Sequence, residues 1–262
     1  MSTLRALQAV AALGAALLLS ACATRQPPDA GDVAASPWAQ QSGEGAVAAA
    51  PQPLRWAHYP LPGKAATEFR YVRKEGRDAL AVLATSSASM MRQKVNVPPE
   101  GLGLVHFSWM VPELIADADI ALRDVDDAPV RVILAFDGDR SKFSPRDSMM
   151  SELARALTGE EMPYATLVYS WCNKREPGTV IRSPRTERVR TLVVESGPRR
   201  LNRWLEYDRD IRADFEKAFG EAPGALVGIA LMTDSDNTRT TTRAWYGPLR
   251  LQPGTTSAAA AR

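Results

Sequence analysis

Apolar and polar positions alternate repeatedly through the middle of the chain. The runs EFRYVR (68–73), ALAVLAT (79–85), LVHFSWM (104–110), VRVILAF (130–136), ATLVYSW (165–171), RVRTLVVE (188–195), ALVGIALMT (225–233) and TRAWYGPLRL (242–251) are rich in β-branched and aromatic residues. A period of two puts one set of side chains on each face, as in a half-buried strand. Short strands with turn residues between them predict a sandwich or barrel. Two stretches follow the helical period instead. SPRDSMMSELARALTG (144–159) has Ser144 as N-cap, Pro145 at the first helical position, Asp147 at the capping-box position and Gly159 at the C-cap. DRDIRADFEKAFG (208–220) begins with a capping Asp208, keeps Ile211, Phe215 and Phe219 on one stripe, and ends at Gly220. Strands do not alternate with helices, which argues against a βαβ sheet. The expected fold is mainly β, an antiparallel β-sandwich with two short helices in its connections.

The N-terminal end reads differently. Arg5 precedes an Ala/Leu run from Ala6 to Leu19, shorter than the ~20 residues a membrane-spanning helix needs. Residues 1–21 therefore read as a signal peptide. The ending Leu19-Ser20-Ala21-Cys22 resembles the lipobox of bacterial lipoproteins, which implies that Cys22 is acylated and becomes the first mature residue. Ala23 after it implies transfer to the outer membrane, so the membrane partner is reached through a lipid anchor. Residues 22–53, rich in Ala, Pro, Gln, Ser and Gly, are expected to form a disordered tether with a reach of roughly 30 Å. Residues 54–251 then make one domain, and 252–262 a frayed tail.

Net charge is +2, so no global field argues for nucleic acid. Locally, Glu113–Asp127 holds six acids against Arg123, and Lys174–Arg203 nine basic residues against three acids. The two stretches either neutralise each other or leave a basic face for an anionic envelope component. With Cys22 lipidated, Cys172 has no partner, and its place after an alternating run makes it a buried thiol. Only His58 and His106 exist, and no nucleophile elbow, zincin motif, paired C-x-x-C or Gly-rich phosphate loop occurs.

Carboxylates are plentiful. Asp126 and Asp127 precede one strand, and Asp234, Asp236, Asn237 and Thr238 follow another. If both loops share one end of the sandwich, like charges converge and demand a cation or raised pKa values. Hard oxygen ligands suit Ca²⁺, with Asp234 and Asp236 as its candidate ligands, while Arg239 and Arg243 could neutralise the pair without metal. The same residue types also serve a plain turn. An EF-hand is excluded, because Arg239 stands at its glycine position and Trp245 at its final glutamate. Trp204, among charged residues, is a candidate platform for a sugar ring, whereas Trp109 and Trp171 read as core. The expected function is a non-catalytic module binding a glycan or other polar envelope ligand, Ca²⁺-assisted if the loop holds a cation. A carboxylate-dependent hydrolase of glycosidase type is the enzymatic alternative, and a purely structural lipoprotein the third.

The segments DVDDAPVRVILAFDGD, LVYSWCN, RWLEYDRDIRADFEKAFG and LMTDSDNTRTTTRAWYG, in that order, resemble the bacterial domain-of-unknown-function family 3047 over about residues 56–249. The resemblance implies an envelope β-sandwich, similar in outline to carbohydrate-binding jelly rolls, and supplies no activity. One departure is Arg239, where a small residue such as Gly is expected. For the anchor the expected outcome is specific: Cys22→Ser leaves the precursor unacylated and misplaced in a membrane fractionation, and a membrane-bound, acylated variant refutes the lipobox reading.

Overall fold

The computed structural model describes residues 33–42 and 55–254; the predicted signal peptide, Cys22 and the residues beyond 254 lie outside the described residues. In chain order the regular elements are α1 (Pro37–Ser42), β1 (Ala57–Pro60), β2 (Glu68–Lys74), β3 (Arg77–Thr85), β4 (Ala88–Val97), β5 (Leu104–Met110), β6 (Ala128–Phe136), α2 (Pro145–Thr158), β7 (Ala165–Cys172), β8 (Val180–Arg182), β9 (Val189–Ser196), β10 (Leu205–Asp210), α3 (Ile211–Phe219), β11 (Leu226–Asp234), β12 (Thr241–Tyr246) and β13 (Arg250–Gln252).

Two sheets carry the strands. The larger has the order β1-β4-β11-β6-β7-β9-β8, and the smaller β10-β5-β12-β3-β2 with β13 also on β5. Every pair is antiparallel except β7 with β9, which run parallel. Between the sheets lies a core that includes Phe107, Trp109, Tyr169, Trp171 and Leu134, all at most 1% exposed. The β2–β3 hairpin turns at Glu75 and Gly76, both at positive φ (53° and 78°), the backbone twist that a two-residue hairpin loop requires.

Seven of the eight predicted strands form as single strands, the eighth run (242–251) breaks at residues 247–249 into β12 and β13, and the sandwich is the observed architecture. Several elements escaped the pattern. β4 is an interior strand of the large sheet, but its sequence, ASMMRQKVNV, has only Val95 and Val97 as β-branched residues among Met, Arg, Gln, Lys and Asn. Its neighbours on both sides supply the pairing that its own propensity does not. β10 occupies residues assigned to the start of the second helix: Asp208 pairs across to His106, and the cap is Asp210, which accepts the Ala213 N–H at 2.9 Å. The α2 signals stand as read, with Ser144 accepting the Asp147 N–H and Gly159 in the left-handed region.

The tether expectation fails for residues 33–42. α1 is docked: Trp38 is wholly buried, its ring 5.1 Å from that of Trp56. Ser42 Oγ accepts the Leu249 N–H at 3.1 Å and Gln41 donates to Asp78 at 2.8 Å. Trp38 is the one large ring in an otherwise small and polar stretch, and it buries enough apolar surface to order its short helix. Trp38→Ala is expected to lower unfolding free energy by about 3–5 kcal/mol, the usual cost of truncating a buried aromatic. Urea denaturation checks this, and an unchanged midpoint means that α1 does not belong to the fold.

Candidate functional site

Pairing register arranges the outer face of the large sheet in three rows. Met90, Met232, Arg131 and Ser170 make one; Arg92, Ala230, Ile133 and Val168 the next; Lys94, Gly228, Ala135 and Thr166 the third. Such a face, turned away from the sandwich core, is ordinarily polar. Here its middle is apolar. A cleft of about 770 Å³ lies over it, walled by Tyr59 to Lys64 before β2, by α2 with residues 160–163, and by residues around Arg185. Beyond the cleft the same face is closed by a small cluster of Ile120, Ala128, Cys172, Ile181 and Val193. Cys172 is thus a buried packing thiol.

The loops of Asp126 and Asp234 meet at one end of this cleft. Asp234 closes β11, and its Oδ1 accepts the Ala128 N–H and the Arg131 Nε–H, both at 3.0 Å. The same guanidinium donates through Nη2 to Asp126 Oδ1 at 2.9 Å. Asp127, fully buried, accepts the N–H groups of Asn237 (3.2 Å) and Thr238 (2.7 Å) and the Thr238 hydroxyl (2.6 Å). Asn237 donates to the Arg123 carbonyl at 2.9 Å, and Asp236 pairs with Lys64. Asp126, Asp127, Asp234, Asp236, Asn237 and Thr238 therefore come together as expected. Trp204 does not join them. It precedes β10 on the other sheet, with the Arg77 guanidinium 5.5 Å from its ring centre.

Charge balance explains the loop. Burial pushes the Asp234 carboxyl up to about 6, and the Arg131 guanidinium, shared with Asp126, opposes that rise only in part. Arg131 itself is held firmly protonated: the two carboxylates outweigh the burial that would strip its charge. Oxygens of Asp127, Asp234 and Asp236 all lie within 4.8 Å of one another, a donor set that would suit a hard cation. Arg131 and Lys64 already supply positive charge there, and both oxygens of Asp127 are taken by loop donors. The residues thus do not call for Ca²⁺. The expected neutralisers Arg239 and Arg243 are not the partners. Arg239 instead sits at φ 56°, the left-handed geometry that explains why a small residue was expected there.

Elsewhere along the cleft, two carboxylates are likewise paired, while exposed Asp137 accepts, among the described residues, only the Gly138 N–H, at 2.9 Å. Glu160 is held down to about 2 by hydrogen bonds from Arg92 and Lys94, and Glu161 contacts Arg140 and Arg155. A general acid needs a carboxyl that keeps its proton near neutral pH. Glu160 is the opposite, and Asp234 is locked to Arg131. The charged stretches noted in sequence meet at one ion pair, Asp119 with Arg175.

The sequence profile described as "Protein of unknown function (DUF3047)" matches residues 54–250. The chain belongs to the DUF3047 family. No curated protein matches this DUF3047 chain in sequence. Among solved structures, the xyloglucanase domain of NopAA, a type three effector from Sinorhizobium fredii in complex with cellobiose, is similar with a TM-score of 0.37 and 8% identity, over 76% of this chain and 98% of that one.

Sequence signals missed most of the cleft: Tyr59, Met90, Arg92 and Arg131 carried no motif, and register alone assembles them. Arg131→Met is expected to strand the buried Asp234 carboxylate and the partly buried Asp126 and cost about 3–5 kcal/mol. Adding Asp126→Asn and Asp234→Asn should recover a good part of that loss. Urea denaturation of the single and triple variants checks this, and equal loss in both shows that the charges are not what Arg131 balances.

Proposed function

We propose that the domain is a non-catalytic binding module, held at the cell envelope through Cys22, whose ligand lies in the cleft on the outer face of the large sheet. One observation carries the reading. Met90, Ile133, Ala135 and Met232, on the outer face of the sheet, are only partly buried and line a concave space of about 770 Å³. That volume is in the range of small-molecule sites, and apolar floors of this kind gain by covering. Around the floor, Arg92–Glu160 and Arg131–Asp126 pairs set a charged rim. An apolar floor with a charged rim fits an amphiphile, its hydrocarbon part on the sheet and its polar end at the rim. A sugar ring wants an open aromatic face. Of the aromatic rings lining the cleft, Phe136 is wholly buried and Tyr59 already carries the Arg92 guanidinium at 4.0 Å.

A neutral naphthylamine dye, bright in apolar surroundings, is expected to bind the wild-type chain and to be displaced by medium-chain amphiphiles. Ile133→Asp puts an uncompensated charge on the floor and should weaken dye binding about tenfold or more. Displacement by oligosaccharides with no effect of amphiphiles would return the site to the glycan reading. Unaltered dye affinity in Ile133→Asp would place the ligand elsewhere.

A further inference from the structure

α2 forms the mouth of the cleft and is built inside out. Its buried residues are polar: Asp147 and Ser151. Asp147 accepts the Thr186 hydroxyl at 2.5 Å, and Arg140 donates to Ser151 at 3.3 Å, so the helix sits on the domain through hydrogen bonds. Three of its four large apolar side chains face outward, Met150 being the partly buried one: Met149 is 61% exposed, Leu153 51% and Leu157 61%. A helix on a globular surface does the reverse, turning its apolar stripe to the core. Residues 149, 153 and 157 are four apart and make one stripe along the helix. Leu157, with Met150 and Ala154, also lines the cleft. The cleft lining and the outward stripe therefore meet at Leu157.

We propose that this outward stripe of α2 is the surface by which the domain lies against a lipid bilayer, holding the cleft mouth at headgroup depth so that an amphiphile passes between bilayer and cleft. The proposal rests on the cleft being an amphiphile site. Three observations favour a lipid surface over a protein. The stripe meets the cleft at Leu157, so one hydrocarbon medium covers both. Arg146, exposed three residues before Met149, stands on the stripe's own face and suits an anionic headgroup beside an inserted apolar edge, while Arg155 lies round the helix and pairs with Glu161. Three side chains expose on the order of a few hundred Å². A specific protein interface needs about 1,200 Å² or more in total.

The test reads which face meets the membrane. In the full chain carrying Cys22→Ser, an environment-sensitive fluorophore is placed at Leu153→Cys, or at Arg70→Cys on the smaller sheet; Cys172, 2% exposed, is shielded from the reagent. With vesicles of phosphatidylethanolamine and phosphatidylglycerol, the label at 153 is expected to shift to the blue and to be quenched by brominated acyl chains, while that at 70 is unchanged. Met149→Ser with Leu153→Ser, both at exposed positions, should reduce vesicle binding about tenfold or more while keeping dye affinity in buffer. Equal responses at 153 and 70, or none at 153, overturn the proposal. A blue shift at 153 that grows with protein concentration without vesicles also overturns it, in favour of self-association. Ile133→Asp separates the two readings. If the cleft reading fails, the dye does not bind and the label at 153 still answers to vesicles; if only the docking fails, dye binding stands without a vesicle response.

Discussion

Arg131 projects from β6 into a space where water is scarce, and a buried guanidinium must be paired wherever it goes. Its two partners come from distant parts of the chain. Asp234 ends β11 and Asp126 stands in the turn before β6, so one side chain fastens a strand end to a loop. The next residue, Asp127, continues the link by gathering the N–H groups of Asn237 and Thr238. From the other sheet, the Tyr246 hydroxyl donates to the Met232 carbonyl at 2.6 Å and accepts the Arg131 N–H at 3.1 Å. The two sheets and both loops thus share one polar joint, and burial keeps the Tyr246 phenol far from ionising. One end of the cleft is made rigid by the same bonds.

That rigidity separates two uses of carboxylates that look identical as sequence. A cluster of acids at a strand end can hold a cation, do acid chemistry or complete a fold, and the choice depends on what lies opposite. Here guanidinium, ammonium and backbone N–H groups lie opposite. Beside the cluster, the sheet face carries the apolar side chains that line the cleft. The opposite ends of the cleft differ accordingly. The Asp234 end is locked, whereas α2 at the mouth is seated by a few polar contacts and presents its apolar stripe outward.

Much of the architecture was legible because alternation and capping act over a few residues. A two-residue period in β6, β7 or β11 reports burial directly, and Ser144 with Gly159 marks a helix whatever surrounds it. Trp38 shows the limit of composition: one large side chain in a polar, alanine-rich stretch was enough to dock α1, and no local pattern announces where such a ring finds its partner. β4 shows the limit of propensity, since a strand bonded on both sides needs little preference of its own.

For the candidate site the division is sharper. From the sequence alone come the two acidic loops as candidates to converge, the buried state of Cys172 and the resemblance to the DUF3047 family. Only the tertiary structure decides that Arg131 and Lys64 supply the positive charge, that Trp204 lies on the other sheet, and that Met90, Ile133 and Met232 share one floor. The reason is physical. Charge pairing and surface continuity depend on register between strands separated by up to a hundred residues, and the fall of a Coulomb or dispersion energy with distance reads only the space between atoms, never the chain between them.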